Sequence, residues 1–392
     1  MKRILLVLLA LVFIYPIISS GANKDSVNLK LVWEKEFSEP TIDVIIDTLK
    51  VENKIKFFPK IKIIKIGSRR VIEYYDSKSR LKIKAIITII DDSSGVVESS
   101  IVNVSANNKY LLLSYRKYPD IEGGYIYSST GELLYTITNG YPIDINNQGY
   151  TLVKEHSQEP GIMPNSFLLY NNKGNMIQEL VNPLKGLEGY SMAKFTNDQK
   201  HIIFGVTTTT GSSYLILKDI KNNPIWRKNI RPTIYINECD TKENEGISII
   251  ERFNINITYL DWFTGEEKWK RKWDISWGKM EGWKNLKILE DGNLILFGKN
   301  TKLICFDKYA GKIKWIYSNN NVIDIIELNN NLIVLNRKNG ISYLDILSIK
   351  NGIVLKENNL GKELWKKIRV YNNNLIQITS SNKVVVLELK IN

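Results

Sequence analysis

Histidine is the usual general base and zinc ligand, and this chain of 392 residues holds only two, His156 and His201. Two histidines cannot build a three-histidine zinc site. His156 lies in the polar stretch "KEHSQEPG" and His201 follows a predicted turn, so both are interpreted as solvated loop residues. The chain has no Walker-type loop, no dinucleotide-binding fingerprint and no G-x-S-x-G motif. The residue content leaves a Ser–His–Asp triad as an alternative, but no motif supports it. No catalytic residue is predicted.

Carboxylates cluster at two places where oxygen ligands could hold a calcium ion. Asp91 and Asp92 lie in "IIDDSSG". The stretch "ECDTKENEG" carries the other group, which consists of Glu238, Asp240, Glu243 and Glu245. The spacing fits no EF-hand loop, and Lys242 interrupts the second group. A solvated hairpin loop is therefore the favoured interpretation, and no metal site is predicted.

Tryptophans and basic residues alternate in "DWFTGEEKWKRKWDISWGKMEGWK", residues 261–284. In a strand, alternate side chains share a face, which puts tryptophans on one face and lysines on the other. One interpretation buries the tryptophan face between two sheets. The alternative leaves rings exposed beside a basic rim, which would suit a protein, a glycan or an anionic envelope polymer. The candidate partner-binding residues are Trp273, Trp277, Trp283, Lys270, Arg271 and Lys272.

An internal repeat indicates the elements that must position these residues. "LDWFTGEEKW" and "FDKYAGKIKW" share one skeleton, in which glycine follows aspartate by four residues and tryptophan follows glycine by four. Its members are Asp261, Gly265 and Trp269 in the first copy, and Asp307, Gly311 and Trp315 in the second. Turn residues recur roughly every 40–48 positions, a period typical of four-stranded propeller blades. They are Gly131, Gly174, Asn222 (with Trp226 four residues later), Gly265, Gly311 and Gly352.

A second landmark runs in phase with the first. Turns rich in Asn, Asp and Gly precede apolar runs, as in "LEDGNLILFG" and "LNNNLIVLN", and each predicts a β-hairpin. Together the landmarks predict an all-β chain, a propeller of four-stranded antiparallel blades. Eight blades are predicted, and seven stays open because the first unit is the least regular.

The two ends of the chain predict how the ring closes. The C-terminus supplies only three strands, while "NLKLVWEKEF" at residues 28–37 is a strand without a blade of its own. We expect this strand, which carries Trp33, to complete the last blade and remove the unpaired edges. Residues 23–392 are therefore predicted to form one propeller domain, and the chain is predicted to be a monomer.

The first 22 residues predict export. Lys2 and Arg3 precede an apolar run, and small residues end the segment at Ala22, which is the pattern of a secretory signal peptide. An uncleaved membrane anchor is the alternative. No later segment is long and apolar enough to span a membrane. The predicted location is secreted or periplasmic.

Charge and cysteine content restrict the partners. The formal net charge is +13, carried by lysines spread along the chain, which favours anionic surfaces. Export disfavours nucleic acid as a partner. Cys239 and Cys305 are placed on different repeats, where two small buried residues are favoured over a disulfide.

The Asp–Gly–Trp pattern resembles the PQQ-like (quinoprotein-type) β-propeller repeat, and "AKFTNDQKHIIFG" is similar to a hairpin of TolB-related propellers. The resemblance implies that the tryptophans pack between neighbouring blades. We expect the aspartate to accept turn N–H groups and the glycine to adopt positive φ. In two earlier units Tyr127 and Tyr170 fall at the aspartate position, while Tyr135 and Gln178 replace the tryptophan.

The resemblance also bears on function. Quinoprotein dehydrogenases of this family pair the quinone with calcium, a catalytic aspartate and, in many, a disulfide between adjacent cysteines. This chain has no adjacent cysteines, so neither PQQ nor calcium is predicted as a cofactor. A non-enzymatic branch includes the scaffold lipoprotein of the outer-membrane β-barrel assembly machine, whose lipid-attachment cysteine is missing here. We predict a non-catalytic binding or scaffold module for a protein or envelope partner. A quinone- or calcium-dependent dehydrogenase and a lectin-like glycan-binding propeller are the alternatives.

Overall fold

A computed structural model describes most of the chain after residue 26. It covers residues 27–38, 41–51, 54–66, 69–75, 81–88, 99–105, 109–117, 121–155, 166–181, 189–207, 213–230, 236–251, 256–272, 274–277, 284–298, 300–319, 321–372 and 374–391. His156, Asp91, Asp92, Trp273 and Trp283 lie outside these ranges. No helix in the described part is long and apolar enough to cross a bilayer.

The described strands form eight sheets of four antiparallel strands each, which we call blades 1 to 8. The first strand of the chain, β1 (Val27–Glu36), belongs to blade 8. Blades 1 to 4 comprise β2 (Thr41–Val51), β3 (Lys54–Ile66), β4 (Arg69–Tyr75) and β5 (Leu81–Thr88); β6 (Ser99–Val104), β7 (Tyr110–Lys117), β8 (Ile121–Ser128) and β9 (Leu133–Ile137); β10 (Tyr141–Ile145), β11 (Thr151–Lys154), β12 (Ser166–Tyr170) and β13 (Met176–Val181); and β14 (Gly189–Phe195), β15 (His201–Thr207), β16 (Ser213–Asp219) and β17 (Pro224–Ile230).

The second half of the chain continues the same pattern. Blades 5 to 8 comprise β18 (Ile236–Lys242), β19 (Gly246–Glu251), β20 (Asn256–Leu260) and β21 (Glu267–Lys272); β22 (Lys284–Ile288), β23 (Leu294–Gly298), β24 (Thr301–Phe306) and β25 (Ile313–Tyr317); β26 (Val322–Leu328), β27 (Asn331–Lys338), β28 (Ile341–Ser348) and β29 (Val354–Gly361); and β30 (Trp365–Asn372), β31 (Leu375–Ser380) and β32 (Lys383–Ile391), with β1 outermost. A short 3₁₀ turn (Ile275–Trp277) lies between blades 5 and 6. The predicted all-β propeller is confirmed. Its described sheets number eight, the blade count that the sequence predicted, rather than the seven that it left open.

The ring is closed by the two ends of the chain. Strand β1 pairs antiparallel with β32, from Val27 opposite Ile391 to Glu36 opposite Lys383. Trp33 lies opposite Val386 and packs, partly buried, against a small cluster of blade 8. Blade 8 therefore has its third and fourth strands supplied from opposite ends of the chain, as the sequence predicted.

Connectivity defines two faces of the ring. In each four-stranded meander the turns between strands 1–2 and between strands 3–4 lie at one end, which we call the lower face. The turns between strands 2–3 and the loops that join consecutive blades lie at the other end, the upper face. The Asp–Gly turns of the repeat are therefore on the lower face, at the outer side of each blade.

The core lies between neighbouring blades rather than inside any one of them. One buried cluster joins Leu303 and Trp315 of blade 6 to Val334 and Leu347 of blade 7. Comparable clusters join blades 2–3, 3–4, 4–5, 5–6 and 7–8. Blade 6 packs against blade 5 on one face and blade 7 on the other, and its central strand β23, "LILFG", is a continuous buried apolar run.

Candidate functional site

The repeat turns are rigid structures built by the side chains that the sequence singled out. Asp261 accepts N–H groups from Phe263 at 2.9 Å and Thr264 at 3.0 Å. Burial alone would raise the pKa of Asp261, but these backbone donors and Lys268 outweigh it and lower that pKa. Gly265 has φ of 66°, a conformation that favours glycine. Asp307 and Gly311 form the same turn in blade 6.

Each repeat tryptophan packs under the turn of the next blade. The indole of Trp269 lies so close to Gly311 that a Cβ on that glycine would be 2.5 Å from the ring. Its Nε1 donates a hydrogen bond to the carbonyl of Lys308 at 3.2 Å. The same contact joins Trp226 to Gly265 and the carbonyl of Trp262, and Trp315 to Gly352 and the carbonyl of Ile349. These tryptophans therefore connect each blade to the next, and we call them the fastening tryptophans.

The earlier blades use a turn that is one residue shorter, which corrects one alignment. Tyr127 and Tyr170 were predicted at the aspartate position, but the acceptors are the next residues, Ser128 and Asn171. The Oγ of Ser128 accepts N–H groups at 3.2 and 3.1 Å, and the Oδ1 of Asn171 does so at 2.9 and 3.0 Å. In blade 4 the acceptor is Asp219. The shorter turn moves the acceptor by one position along the strand.

Tyr135 and Gln178 take the place of the tryptophan, as predicted. The Cβ of Tyr135 would lie 2.6 Å from a Cβ added to Gly174, and its hydroxyl group is 2.8 Å from Thr151 Oγ1. Gln178 Nε2 makes a long contact of 3.4 Å with the carbonyl of Lys221 in blade 4. In blades 2 and 3 this position thus still contacts the next blade although the tryptophan is absent.

The segment predicted to bind a partner has one ring in the core. Trp277 is buried, with its ring edge-on to Phe306 at 5.3 Å. The alternative that leaves Trp277 partly exposed for a partner is therefore wrong, and the interpretation that buries it is confirmed for this ring, because the 3₁₀ turn folds the ring back between blades 5 and 6. Trp273 and Trp283 fall outside the described residues, so the role predicted for them stays a prediction.

The basic residues of this segment differ from one another. Arg271 donates from Nε to the carbonyl of Gly311 at 3.0 Å and from Nη2 to that of Ala310 at 3.3 Å. It therefore supports the neighbouring turn. Lys270 is partly buried and Lys272 is exposed.

The carboxylates considered for calcium have separate structural partners. Asp240 accepts the N–H of Ile288 in the next blade at 2.6 Å. Glu245 pairs with Lys308 at 2.9 Å. Among the described residues, no group of three or more His, Cys, Asp or Glu side chains is placed to hold a metal ion.

His201 and Cys305 are likewise engaged in contacts within the fold. His201 contacts the carboxylate of Asp198 and packs edge-on to Trp262 with centroids 5.4 Å apart. Cys305 is a buried free thiol on β24, while Cys239 is on β18 of the preceding blade. Burial raises the pKa of the Cys305 thiol to about 12, which suppresses its reactivity.

A second series of aspartates, on innermost strands, was missed by the sequence reasoning. Asp144 accepts the N–H of Phe195 in the next blade at 2.9 Å, and Asp324 accepts that of Ile368 at 3.0 Å. Asp240 makes the equivalent contact. Blades 3, 5 and 7 therefore each accept a backbone hydrogen bond from the blade that follows. Burial raises the pKa of Asp144 and of Asp324, although their hydrogen bonds act in the opposite direction. The two-blade spacing of the series is the signal that could have found it.

A buried polar cluster lies at the upper end of the seam between blades 6 and 7. Asp345 is fully buried, and its Oδ2 accepts from the Tyr317 hydroxyl and from Asn336 Nδ2 at 2.6 Å. Its Oδ1 has no hydrogen-bond partner among the described residues. An open cavity of about 530 Å³ is lined by Tyr317, Asn319, Lys338 and their neighbours. Burial raises the pKa of Asp345 despite these hydrogen bonds.

Two exposed aromatic rings stand on the lower face and were also missed. Phe263 is 60% exposed and Tyr309 is 76% exposed, and both occupy the position two residues before the turn glycine. They lie on the consecutive blades 5 and 6. The Lys308 ammonium lies 5.3 Å from the centroid of the Tyr309 ring. We call these two residues the aromatic rim.

Comparison with known proteins identifies the fold. No protein-family model matches the chain, and no curated protein matches it in sequence. Its structure is similar to that of BamB from Moraxella catarrhalis, with a TM-score of 0.57 and 13% identity over 92% of this chain and 100% of that one. The C-terminal WD40 domain of Sif2 gives a TM-score of 0.55 with 9% identity over 92% of this chain and 99% of that one. A europium-containing methanol dehydrogenase gives 0.54 with 10% identity over 92% and 93%. The chain has the β-propeller fold.

Proposed function

We propose that this chain is an exported propeller of the PQQ-like type that binds a protein or a cell-envelope polymer without catalysing a reaction. The observation that carries the proposal is the aromatic rim, Phe263 and Tyr309, exposed on consecutive turns. Large aromatic rings that face water gain no free energy from burial, so a pair of them on neighbouring blades indicates a surface that a partner covers.

The rim is prepared for binding by the turns beneath it. The backbone at Phe263 and Tyr309 is held by the hydrogen bonds to Asp261 and Asp307 and by the tryptophans packed under both glycines. A partner that covers these rings would therefore order little backbone, which lowers the entropic cost of binding. Rigid loops on a stable scaffold are the usual position of binding residues.

The fold alone does not distinguish a binding function from a catalytic one, because both BamB and a methanol dehydrogenase share it. The side chains supply the argument for binding. Asp240, Glu245 and Arg271, which the sequence offered for chemistry or for partner contacts, all take part in contacts between blades. The rim residues, by contrast, are turned to solvent.

Partner capture tests the proposal directly. We would place a photo-crosslinking amino acid at position 309 of the full chain, expose it to envelope extract, and identify the adduct by mass spectrometry. A second chain with Phe263→Ser should give at least tenfold less adduct. The matched control is Ile225→Ser, another exposed apolar residue at 41%, on the outer strand of blade 4. Equal adduct in all three chains would contradict the proposal, and a carbohydrate adduct would identify a glycan partner.

Titration with pyrroloquinoline quinone and calcium tests the enzymatic alternative. Ligand that binds only the native state, at 100 times its dissociation constant, stabilises a protein by about 2.7 kcal/mol. We expect no change in thermal unfolding and no dye-linked dehydrogenase activity. Saturable stabilisation accompanied by turnover would overturn the non-catalytic proposal. N-terminal sequencing of the natural protein tests export, with cleavage expected after Ala22.

A further inference from the structure

Blade 7 lacks the fastening tryptophan of the three blades before it. Trp226, Trp269 and Trp315 lie four residues after the turn residue in blades 4, 5 and 6, and each is buried. The same position in blade 7 is Lys356, which is exposed. The outer strand of this blade is therefore held differently from its predecessors.

The closure of the ring explains this difference. In the preceding seams the indole packs on a turn between the third and fourth strands of the next blade. In blade 8 those two strands are β32 and β1, which come from opposite ends of the chain and share no turn. Trp365 of the innermost strand is buried in this seam and donates to the carbonyl of Leu360 at 3.3 Å. The lower end of β29 therefore lacks the indole contact that joins β21 and β25 to the blades that follow them.

The three positions after the turn glycine are exposed in blades 5 and 6 as well, where they are mostly charged. In blade 7 all three are apolar, which leaves an exposed apolar edge beside the point of closure. Ile353, Val354 and Leu355 are 59%, 42% and 44% exposed, and they lie at the start of the outermost strand of blade 7. Strand β29 contacts β1, on which Leu31 and Val32 are 53% and 40% exposed. Three consecutive exposed apolar residues are unfavourable unless they bind something. We call these five residues the closure edge.

We propose that the closure edge binds an extended segment of a partner protein, which pairs with the free side of β29. The outermost strand of a sheet presents unpaired N–H and C=O groups, and another extended backbone satisfies them best. The apolar side chains beside that strand then supply pockets for alternate side chains of the incoming segment. This inference rests on the proposed function, because it names the partner class of the same binding module.

The charge around the edge specifies the segment further. Lys350 and Lys356 flank the three apolar residues and are exposed. Within the described part of the chain, neither ammonium has a carboxylate at salt-bridge distance, whereas the neighbouring Glu357 is paired with Lys338 at 2.7 Å. A segment with acidic residues around an apolar centre complements this arrangement. A second copy of the chain would bring lysines against lysines, which disfavours edge-to-edge dimers.

Binding of a synthetic strand tests the inference on the full chain. The probe is a labelled ten-residue peptide that alternates valine with threonine and carries aspartate at both ends, measured by fluorescence anisotropy. We expect saturable binding that Leu355→Lys weakens at least tenfold. The matched control is Leu364→Lys, since Leu364 is 47% exposed but lies beyond the upper end of β29. Two further probes replace the aspartates with lysine or methylate alternate backbone nitrogens, and both should bind at least tenfold more weakly.

Failure to bind the acidic peptide, or equal binding of the methylated one, would overturn the proposal. Self-association of the chain that disappears in Leu355→Lys would replace the partner strand by a second copy and would overturn it as well. The crosslinking experiment at position 309 tests the proposed function separately from the peptide experiment. If the adduct at position 309 forms normally while the acidic peptide fails to bind the unsubstituted chain, the inference is wrong and the proposed function stands.

Discussion

Replacing Gly352 with alanine separates the cost of a left-handed backbone from the cost of displacing the tryptophan beneath it. Gly352 has φ of 68°, and a Cβ at this position would lie 2.6 Å from the ring of Trp315. Gly340 provides the matched control, because its φ is 81° and nothing lies within 4 Å of its Cβ position. Alanine at Gly340 should lose about 1–2 kcal/mol from backbone strain alone. Alanine at Gly352 adds an overpacking cost of about 1–3 kcal/mol.

A double-mutant cycle then tests whether the indole is the cause. Trp315→Ala alone should cost about 3–5 kcal/mol, because a large buried ring and its hydrogen bond to Ile349 are lost. In that background Gly352→Ala should cost no more than Gly340→Ala, which gives a coupling of about 1–3 kcal/mol.

The assay is urea unfolding followed by far-UV circular dichroism, since tryptophan fluorescence changes with the mutation itself. A second probe, such as proteolysis, must give the same midpoint before free energies are compared, because chains of this size can depart from two-state behaviour. Equal losses for the two glycine variants, or no coupling with Trp315→Ala, would refute the fastening role derived from the structure.

Three further predictions concern single side chains. Burial raises the pKa of Asp345 above its unfolded value, so the stability this carboxyl contributes is present below that unfolded pKa and is lost as pH rises through the folded one. Asp345→Asn should therefore gain stability relative to wild type as pH rises above about 4, the ordinary pKa of an aspartate, in urea unfolding, and a pH-independent difference would contradict the argument. Cys305, with its pKa raised to about 12, should resist iodoacetamide at pH 8 until the chain unfolds, as measured by peptide mass spectrometry. Tyr135→Phe should cost about 1–3 kcal/mol, because it removes the hydroxyl partner of buried Thr151; a neutral result in thermal unfolding would show that Thr151 finds another.

The architecture was predictable because its signals are local. An Asp–Gly turn needs one side-chain acceptor and one residue that tolerates positive φ, and both lie within five positions of each other, as at Asp261 and Gly265. Repetition of that unit, in phase with hairpin turns, fixes four strands per blade. The partner strand of β1 was also predictable, because one unpaired strand at one end matched one missing strand at the other.

The candidate binding surfaces were much less predictable. The burial of Trp277 depends on Phe306, which lies on blade 6, and the aspartate contacts between blades join residues 44 to 51 positions apart. The turn alignment failed at Tyr127 and Tyr170 because a turn one residue shorter leaves the hydrophobic pattern unchanged. Phe263 and Tyr309 resemble any other turn residue until their exposure is known.

The sequence by itself determined the all-β repeat, the turn chemistry, the fastening tryptophans and the closing strand, since each follows from propensities and periods within one unit. The tertiary structure alone decided which side chains remain available. Asp240 and Arg271 bond to the neighbouring blade, while Ile353, Val354 and Leu355 remain exposed on the outermost strand of blade 7. The physical reason is that a blade buries its faces against its neighbours, so the availability of a side chain is set by residues a whole repeat away.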